Sequence, residues 1–241
     1  MTTVFTINHS TILEKMIIMI QDFKLAFKLI RYGLSYKLEV SMGLLFGVIG
    51  IVVDFFSKGE TYVGGFYIVL SVFMIFQLII SLDVSTLVQS SGYKRKVQLV
   101  FPYLVVVPLM LIAFTIVVFL HVSFIYTGVN GQSAADNFIM QTQYLLQLSA
   151  LLFLTQCYFG FCYKHIVLAT ILLVIAVVPF SFVSSTLSFM TGVCNSLPLT
   201  IVISYVLVLG GAGVSYLISA LFYRQKLSQM VFQQSIKRAM R

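Results

Sequence analysis

The sequence predicts an all-α polytopic membrane protein with six transmembrane helices, an N-terminal amphipathic helix at the membrane surface, and both termini in the cytoplasm. Three observations support this fold class. The 241 residues are 60% hydrophobic and only 9% charged, whereas soluble domains carry about 25% charged residues. Long charge-free runs recur along the chain, and the basic residues fall between them in an uneven way. So few charged residues could not cover the surface of a water-soluble globule, which excludes that class.

Five charge-poor runs predict the membrane spans. A helix needs about 20 mainly apolar residues to cross about 30 Å of hydrocarbon. Runs of suitable composition cover residues 40–56, 61–82, 97–126, 137–163 and 166–223. The last of these is 58 residues long, too long for one helix. Turn-forming residues at positions 191–198 divide it into two spans, so the prediction is six.

The orientation follows from the lysines and arginines, which are enriched in cytoplasmic loops. Five of the 15 precede the first span, three follow the second, one follows the fourth and five follow the sixth. With six spans these segments share one side, and only Lys58 lies on the other. The sequence therefore predicts a multi-pass protein of the cell (plasma) membrane with the N-terminus and the C-terminus inside.

Three regions follow from this layout: an amphipathic cytoplasmic or interfacial segment (1–38), a six-helix transmembrane domain (39–223) and a basic cytoplasmic tail (224–241). Residues 11–38 read as a helix with apolar residues on one side and polar or basic residues on the other. A basic amphipathic helix before a first span is expected to lie among the headgroups of the membrane lipid. The alternative is a solvated helix that packs on another subunit.

Several kinds of chemistry are missing from the sequence. It contains no G-x-x-x-x-G-K-[ST] motif, no H-E-x-x-H and no paired C-x-x-C, so we expect no ATP hydrolysis by this chain, no catalytic residue, no metal site and no cofactor. The positive charges lie at the ends of apolar runs rather than in a stripe with stacking aromatic residues, and we expect no nucleic-acid partner.

Polar residues inside the spans are the remaining candidates. No acid or base lies at the predicted midplane, but Asp54 and His121 lie in the outer part of the first and third spans and could face each other there, either with a function or only as orienting groups. Gln143 and Gln147 are one helical turn apart and could line a substrate pathway or bond to neighbouring helices. Gln156 lies on another face, and we expect it to act in helix packing.

The segment that leaves the second predicted span, residues 81–96, ends in Gly92, Tyr93, Lys94, Arg95 and Lys96. This segment and the six-span layout resemble the transmembrane subunit of an ABC transporter of the ABC-2 type, in particular the small bacterial permeases that export peptides and bacteriocins or confer immunity to them. The resemblance implies that these five residues form a coupling helix that docks on a separate ATPase. It also implies that residues 11–38 are the family's interfacial elbow helix.

The same resemblance implies a function. The chain would pair with a separate ABC ATPase and with a second transmembrane subunit, as a homodimer or a heterodimer, and move an amphipathic or hydrophobic substrate such as a peptide outward. Two alternatives stay open: a non-transporting assembly or immunity protein, and an intramembrane enzyme, which would need paired His, Asp or Glu side chains inside the bilayer. The sequence leaves the substrate, the direction of transport and the ATPase open.

Overall fold

A computed structural model of the protein describes residues 9–31, 36–83, 92, 94–128, 133–162, 164–183, 196–224 and 233. These residues form α-helices joined by turns, with no β-strand in the part of the chain that is described. The helices are α1 (His9–Ile30), α2 (Tyr36–Ser57), α3 (Val63–Asp83), α4 (Lys94–Leu99), α5 (Phe101–Thr127), α6 (Ala134–Phe161), α7 (Ile166–Val183) and α8 (Leu197–Phe222).

Four stretches of helix are long and apolar enough to cross a membrane. They are α2, α6, α8 and the continuous stretch formed by α4 and α5, Lys94–Thr127. The other two regions in which the sequence predicts spans contain α3 and α7, which are also helical. The all-helical fold class is confirmed, and the composition of these helices is that of a membrane protein.

The N-terminal helix is shorter than the sequence predicts. The prediction of one helix over residues 11–38 is wrong at its C-terminal end, because α1 ends at Ile30 and α2 already begins at Tyr36. Ile30 is buried in the core, where α1 contacts α3 and α5. The helix is therefore attached to the bundle by its C-terminal half.

Helices α2 and α3 form an antiparallel pair in close contact. The Ser71 hydroxyl on α3 donates a hydrogen bond to the Gly43 carbonyl on α2 at 2.7 Å. A Cβ atom added at Gly50 would lie 2.8 Å from Ile68 Cγ1 and 2.9 Å from the Gly64 carbonyl oxygen. Small residues at a crossing allow two helix backbones to approach this closely, and the crossing holds the C-terminal half of α2 against the start of α3.

Helix α6 lies at the centre of the bundle, in contact with α3, α5, α7 and α8. It runs parallel to α8. The Ser215 hydroxyl donates to the Gln156 carbonyl at 2.6 Å, and the Ser219 hydroxyl donates to the Gly160 carbonyl at 2.9 Å. The Gln156 amide donates to the Val208 carbonyl at 3.0 Å, which confirms the packing role expected for it. Because α6 and α8 are parallel, the chain between them, which includes α7, returns along the bundle.

The helix directions place most of the described lysines and arginines at one end of the molecule. Helix α4 lies at the end of the bundle where α2 begins and α8 ends, and we call this the basic end. The cations located there, among the residues described, are Lys24, Lys28, Arg31, Lys37, Lys94, Arg95, Lys96, Lys164 and Arg224. Lys58 lies at the opposite end, in the turn between α2 and α3, and we call that the Lys58 end.

Candidate functional site

Polar side chains from three helices meet near the Lys58 end in a group that we call the outer cluster, formed by Asp54 of α2, His121 of α5, and Asn137 and Gln141 of α6. His121 Nε2 lies 3.0 Å from Asp54 Oδ2, and His121 Nδ1 lies 2.5 Å from Gln141 Oε1. Asp54, His121 and Gln141 are each 0% exposed. The structure thus brings together the acid and the histidine that the sequence places in the outer parts of two different spans.

The two amides of the outer cluster are fixed by backbone carbonyls. Asn137 and Gln141 are one turn apart on α6. The Asn137 amide donates to the Phe124 carbonyl at 3.0 Å. The Gln141 amide donates to the Lys58 carbonyl at 2.7 Å and to Asn137 Oδ1 at 3.2 Å. These bonds connect α5, α6 and the turn after α2, so the rotation of α6 is tied to the position of that turn.

The turn between α2 and α3 lies directly over the outer cluster. Lys58 and Gly59 both have left-handed backbone angles, with φ of 49° and 79°. A Cβ atom at Gly59 would lie 2.8 Å from Gln141 Oε1 and 2.9 Å from His121 Cε1. A non-glycine residue with φ above zero, such as Lys58, stores backbone strain that the surrounding contacts must hold. This backbone conformation directs the Lys58 carbonyl toward the Gln141 amide.

Aromatic rings enclose the histidine on its remaining side. The Tyr144 ring stacks on His121 with centroids 4.1 Å apart, and Tyr62 stacks on Tyr144 with centroids 5.1 Å apart. Asp54 Oδ1 and the Tyr144 hydroxyl are also buried in this region. A carboxyl and an imidazole in this setting are shielded from water, so their charges must balance each other locally.

At the basic end, the residues predicted to couple to an ATPase are partly described. Gly92 is an exposed turn residue, and a Cβ atom there would meet no atom of the described residues within 4 Å. Tyr93 lies outside the described residues. Lys94, Arg95 and Lys96 form the first half of α4, and Lys96 Nζ makes a salt bridge to Asp22 of α1, with distances of 2.8 Å and 2.9 Å to the two carboxylate oxygens.

The second half of α4 is embedded in the bundle. Val97, Gln98 and Leu99 are buried, and α4 contacts α3, α5 and α8. Between α4 and the end of α8 lies a cleft of about 500 Å³ with Arg95 and Arg224 among its lining residues. Helix α4 therefore has an anchored apolar side, one salt bridge to α1, and an open side that carries positive charge.

A larger cavity, of about 640 Å³, lies between α1, α2, α3 and α5 at the same end. Phe23, Phe27 and Val105 contribute apolar surface to it, and basic and acidic residues from α1 and α2 line it as well: Lys24, Lys28, Arg31 and Glu39. The predicted pathway residues are elsewhere. Gln143 is half-buried and Gln147 is buried, and neither lines this cavity or the α4 cleft.

Sequence reasoning missed several members of these sites. It gave no role to Gln141, which is spaced four residues from Asn137. It also gave no role to Gly59, which follows Lys58, or to Asp22, the partner of Lys96. Within the described residues no group of three His, Cys, Asp or Glu side chains is placed to hold a metal ion.

Comparison with known proteins gives no relative for this chain: no family model, no curated protein and no solved structure matches it.

Proposed function

We propose that this chain is the membrane-spanning subunit of an ATP-driven exporter of the ABC type. In this proposal it crosses the plasma membrane six times with both termini in the cytoplasm, and it pairs with a separate ATPase and with a second transmembrane subunit. The cargo is an amphipathic or hydrophobic molecule, for which a peptide is our first choice, and it moves outward.

The observation that carries the proposal is the construction of α4. Arg95 on this short helix and Gly92 in the turn before it are exposed on the protein surface, while the other side of the helix is buried against the bundle. It contacts α3, α5 and α8, and its Lys96 is paired with α1. A protein that pushes on the exposed turn would move four helices together, which is what a coupling helix must do.

The six-span topology has support from helix direction. Helices α6 and α8 are parallel and α2 and α3 are antiparallel. The start of α2, helix α4 and the end of α8 therefore meet at the basic end. An excess of lysine and arginine marks the cytoplasmic side of a membrane protein, so in our proposal the basic end faces the cytoplasm and the Lys58 end faces outward.

The intramembrane-enzyme alternative gains less support. Such an enzyme needs paired acid and base side chains, which the outer cluster supplies, but it also needs room for a substrate beside them. Asp54 and His121 are fully buried, and they line neither of the cavities described above. A non-transporting assembly or immunity protein makes a different prediction, because it needs no ATPase partner.

The test is a purification of tagged full-length protein in mild detergent from its own host, followed by mass spectrometry of the proteins that copurify. The proposal expects an ABC ATPase in the complex. Gly92→Trp should weaken that association at unchanged expression, because no described residue lies within 4 Å of a Cβ atom at this exposed position and a large side chain there would lie where the ATPase docks. Gly92→Ala is the matched control and should bind normally. An intact protein with no ATPase in its complex would refute the proposal.

A further inference from the structure

The hydrogen bonds of the outer cluster determine the orientation of its amides, and this holds whether or not the protein is a transporter. Its amides form a chain whose ends are backbone carbonyls, and a carbonyl oxygen can only accept a hydrogen bond. The Phe124 carbonyl requires the NH₂ group of Asn137, so Asn137 must present its oxygen to Gln141. The Lys58 carbonyl likewise requires the NH₂ group of Gln141. Both amide orientations are therefore determined by the backbone.

This orientation fixes one proton on the histidine. Since the Gln141 NH₂ group is directed at two acceptors, its oxygen faces His121 Nδ1, and Nδ1 must carry a hydrogen. The other ring nitrogen, Nε2, faces Asp54 Oδ2 at 3.0 Å. A hydrogen bond at that distance needs one more proton, located either on Nε2, as an ion pair, or on Oδ2, as a neutral pair.

We propose that Asp54 and His121 form a proton-binding site that holds one exchangeable proton between Nε2 and Oδ2. With this proton the pair is neutral as a unit, whichever atom carries it. Without it, a carboxylate oxygen faces a ring lone pair and one negative charge remains in a site with no exposure to water, which is strongly unfavourable inside a membrane protein. Release of the proton to water, and its rebinding, therefore require the site to open.

The turn formed by residues 58–62 separates the cluster from the surface at the Lys58 end, because Gly59 is buried and Glu60 is exposed. Lys58 contributes the carbonyl that Gln141 uses, and Gly59 has no side chain and so lets the turn lie directly against Gln141 and His121. Under the topology proposed above, the proton exchanges with the outside of the cell. The existence of the site does not depend on that topology, because the hydrogen-bond argument uses only contacts between side chains and backbone.

Other titratable groups lie near the pair. Tyr144 of α6 stacks on the imidazole, and Tyr62 stacks on Tyr144. Lys58 is half-buried and Glu60 is exposed, both in the turn. Helix α3 approaches Asp54 with Gly64, which cannot titrate, and α5 contributes the ring of Phe124 beside the imidazole. The pair is thus the place in the described cluster where a proton is shared between an acid and a base.

The experiment is ¹⁵N NMR of histidine-labelled full-length protein in lipid nanodiscs, with His9→Gln and His165→Gln so that His121 gives the only histidine signals. The proposal expects Nδ1 to be protonated at every pH at which the protein is folded, and Nε2 to report a single proton-exchange transition. This first measurement leaves the whole cluster in place. A ring with its hydrogen on Nε2 and a bare Nδ1 would overturn the proposal.

Two variants complete the test. In Asp54→Asn the new amide can donate to Nε2 but cannot exchange a proton with it, so the transition should disappear. The matched control is Asp136→Asn, which removes an exposed acid from the first turn of α6 and should leave the His121 transition unchanged. A transition that is identical in wild type and Asp54→Asn would refute the shared proton. Since the measurement needs no ATPase or cargo, its result is independent of the exporter proposal.

Discussion

Gly59→Ala is the sharpest single test of the outer cluster. The change adds one methyl group at a residue whose φ is 79°, and the new Cβ would lie 2.8 Å from Gln141 Oε1 and 2.9 Å from His121 Cε1. Ordinary contacts for a Cβ begin at 3.4 Å. The amide and the ring must therefore each move by about half an ångström, the gap between these printed distances and normal van der Waals contact.

The expected cost has two parts. A left-handed backbone angle costs an alanine about 1–2 kcal/mol. Moving the Gln141 amide weakens its bonds to His121 and to the Lys58 carbonyl, and hydrogen bonds between helices in membrane proteins contribute on average about 0.6 kcal/mol each, at most about 1.7. We therefore expect the free energy of unfolding to fall by about 2–4 kcal/mol.

The assay is reversible unfolding of the purified protein by SDS in mixed micelles, followed by far-ultraviolet circular dichroism. Gly128→Ala is the comparison variant, because Gly128 also has a positive φ, 72°, but no atom of the described residues lies within 4 Å of an added Cβ. Gly128→Ala should lose stability through backbone strain alone and leave the ¹⁵N shifts of His121 unchanged. If Gly59→Ala keeps wild-type stability and wild-type His121 shifts, the contacts described for the turn are wrong.

Three further predictions concern the rest of the molecule. In a background without native cysteines, Ser133→Cys should react with a membrane-impermeant thiol reagent added to intact cells and Gly92→Cys should not, since both residues are exposed but lie at opposite ends; labelling at position 92 would exclude the proposed orientation. Gly160→Val places a side chain 2.9 Å or less from an α8 backbone carbonyl and should cost about 1–3 kcal/mol in the SDS assay, whereas Gly213→Val, which has open space, should not. Lys96→Ala should change stability by less than about 1 kcal/mol, because its salt bridge is partly exposed, yet it should speed amide hydrogen exchange in α1. If Lys94→Ala speeds the exchange of α1 by the same amount, the salt bridge does not hold α1.

The positions of the apolar helices could be predicted because a membrane-spanning helix requires a continuous apolar stretch of sequence. A helix surrounded by lipid needs a long apolar run whatever its neighbours are, and α2, α5, α6 and α8 each coincide with one of the runs read from the sequence to within a few residues. The break between α1 and α2 left a weaker signal. Amphipathic periodicity continues past Gly33, so the pattern alone extended the helix to residue 38.

The outer cluster could be predicted only in part. Asp54 and His121 stand out as ionisable residues in otherwise apolar runs, and that is enough to suggest that they meet. The choice of Gln141 over Gln143 is different, because it depends on the rotation of α6 about its axis, and that rotation is set by contacts with α3, α5 and α8. In the same way, three basic residues of α4 look equivalent in the sequence, and only the position of Asp22 selects Lys96.

Composition and burial agree on why the polar residues gather on α6. Over its most apolar 18 residues α6 has a mean hydropathy of 1.3 and 61% of these residues are buried, whereas in α2 and α8 the mean hydropathy is 2.1 and 17–22% are buried. A helix surrounded by protein can satisfy amide and hydroxyl groups with neighbouring helices, and a helix in lipid cannot. The amides of α6 are therefore as expected for its central position, and their presence alone does not identify a substrate pathway.

The two ends of the molecule are connected by α5, which begins directly after α4 and carries His121 near its other end. Twenty residues separate Phe101 from His121, about 30 Å of helix at 1.5 Å per residue. Pro108 lies inside this helix and removes one of its backbone hydrogen bonds, so a displacement of α4 would reach the imidazole only if the two parts of α5 move together. Hydrogen bonds are largely lost once donor and acceptor separate beyond about 3.5 Å, and His121 Nε2 is already 3.0 Å from Asp54. A shift of about half an ångström is therefore enough to weaken the proton-binding pair.

If both proposals hold, binding of the ATPase at α4 should change the ¹⁵N shift of His121 Nε2 while Nδ1 stays protonated. An unchanged Nε2 signal in the intact complex would show that the two ends are not coupled through α5.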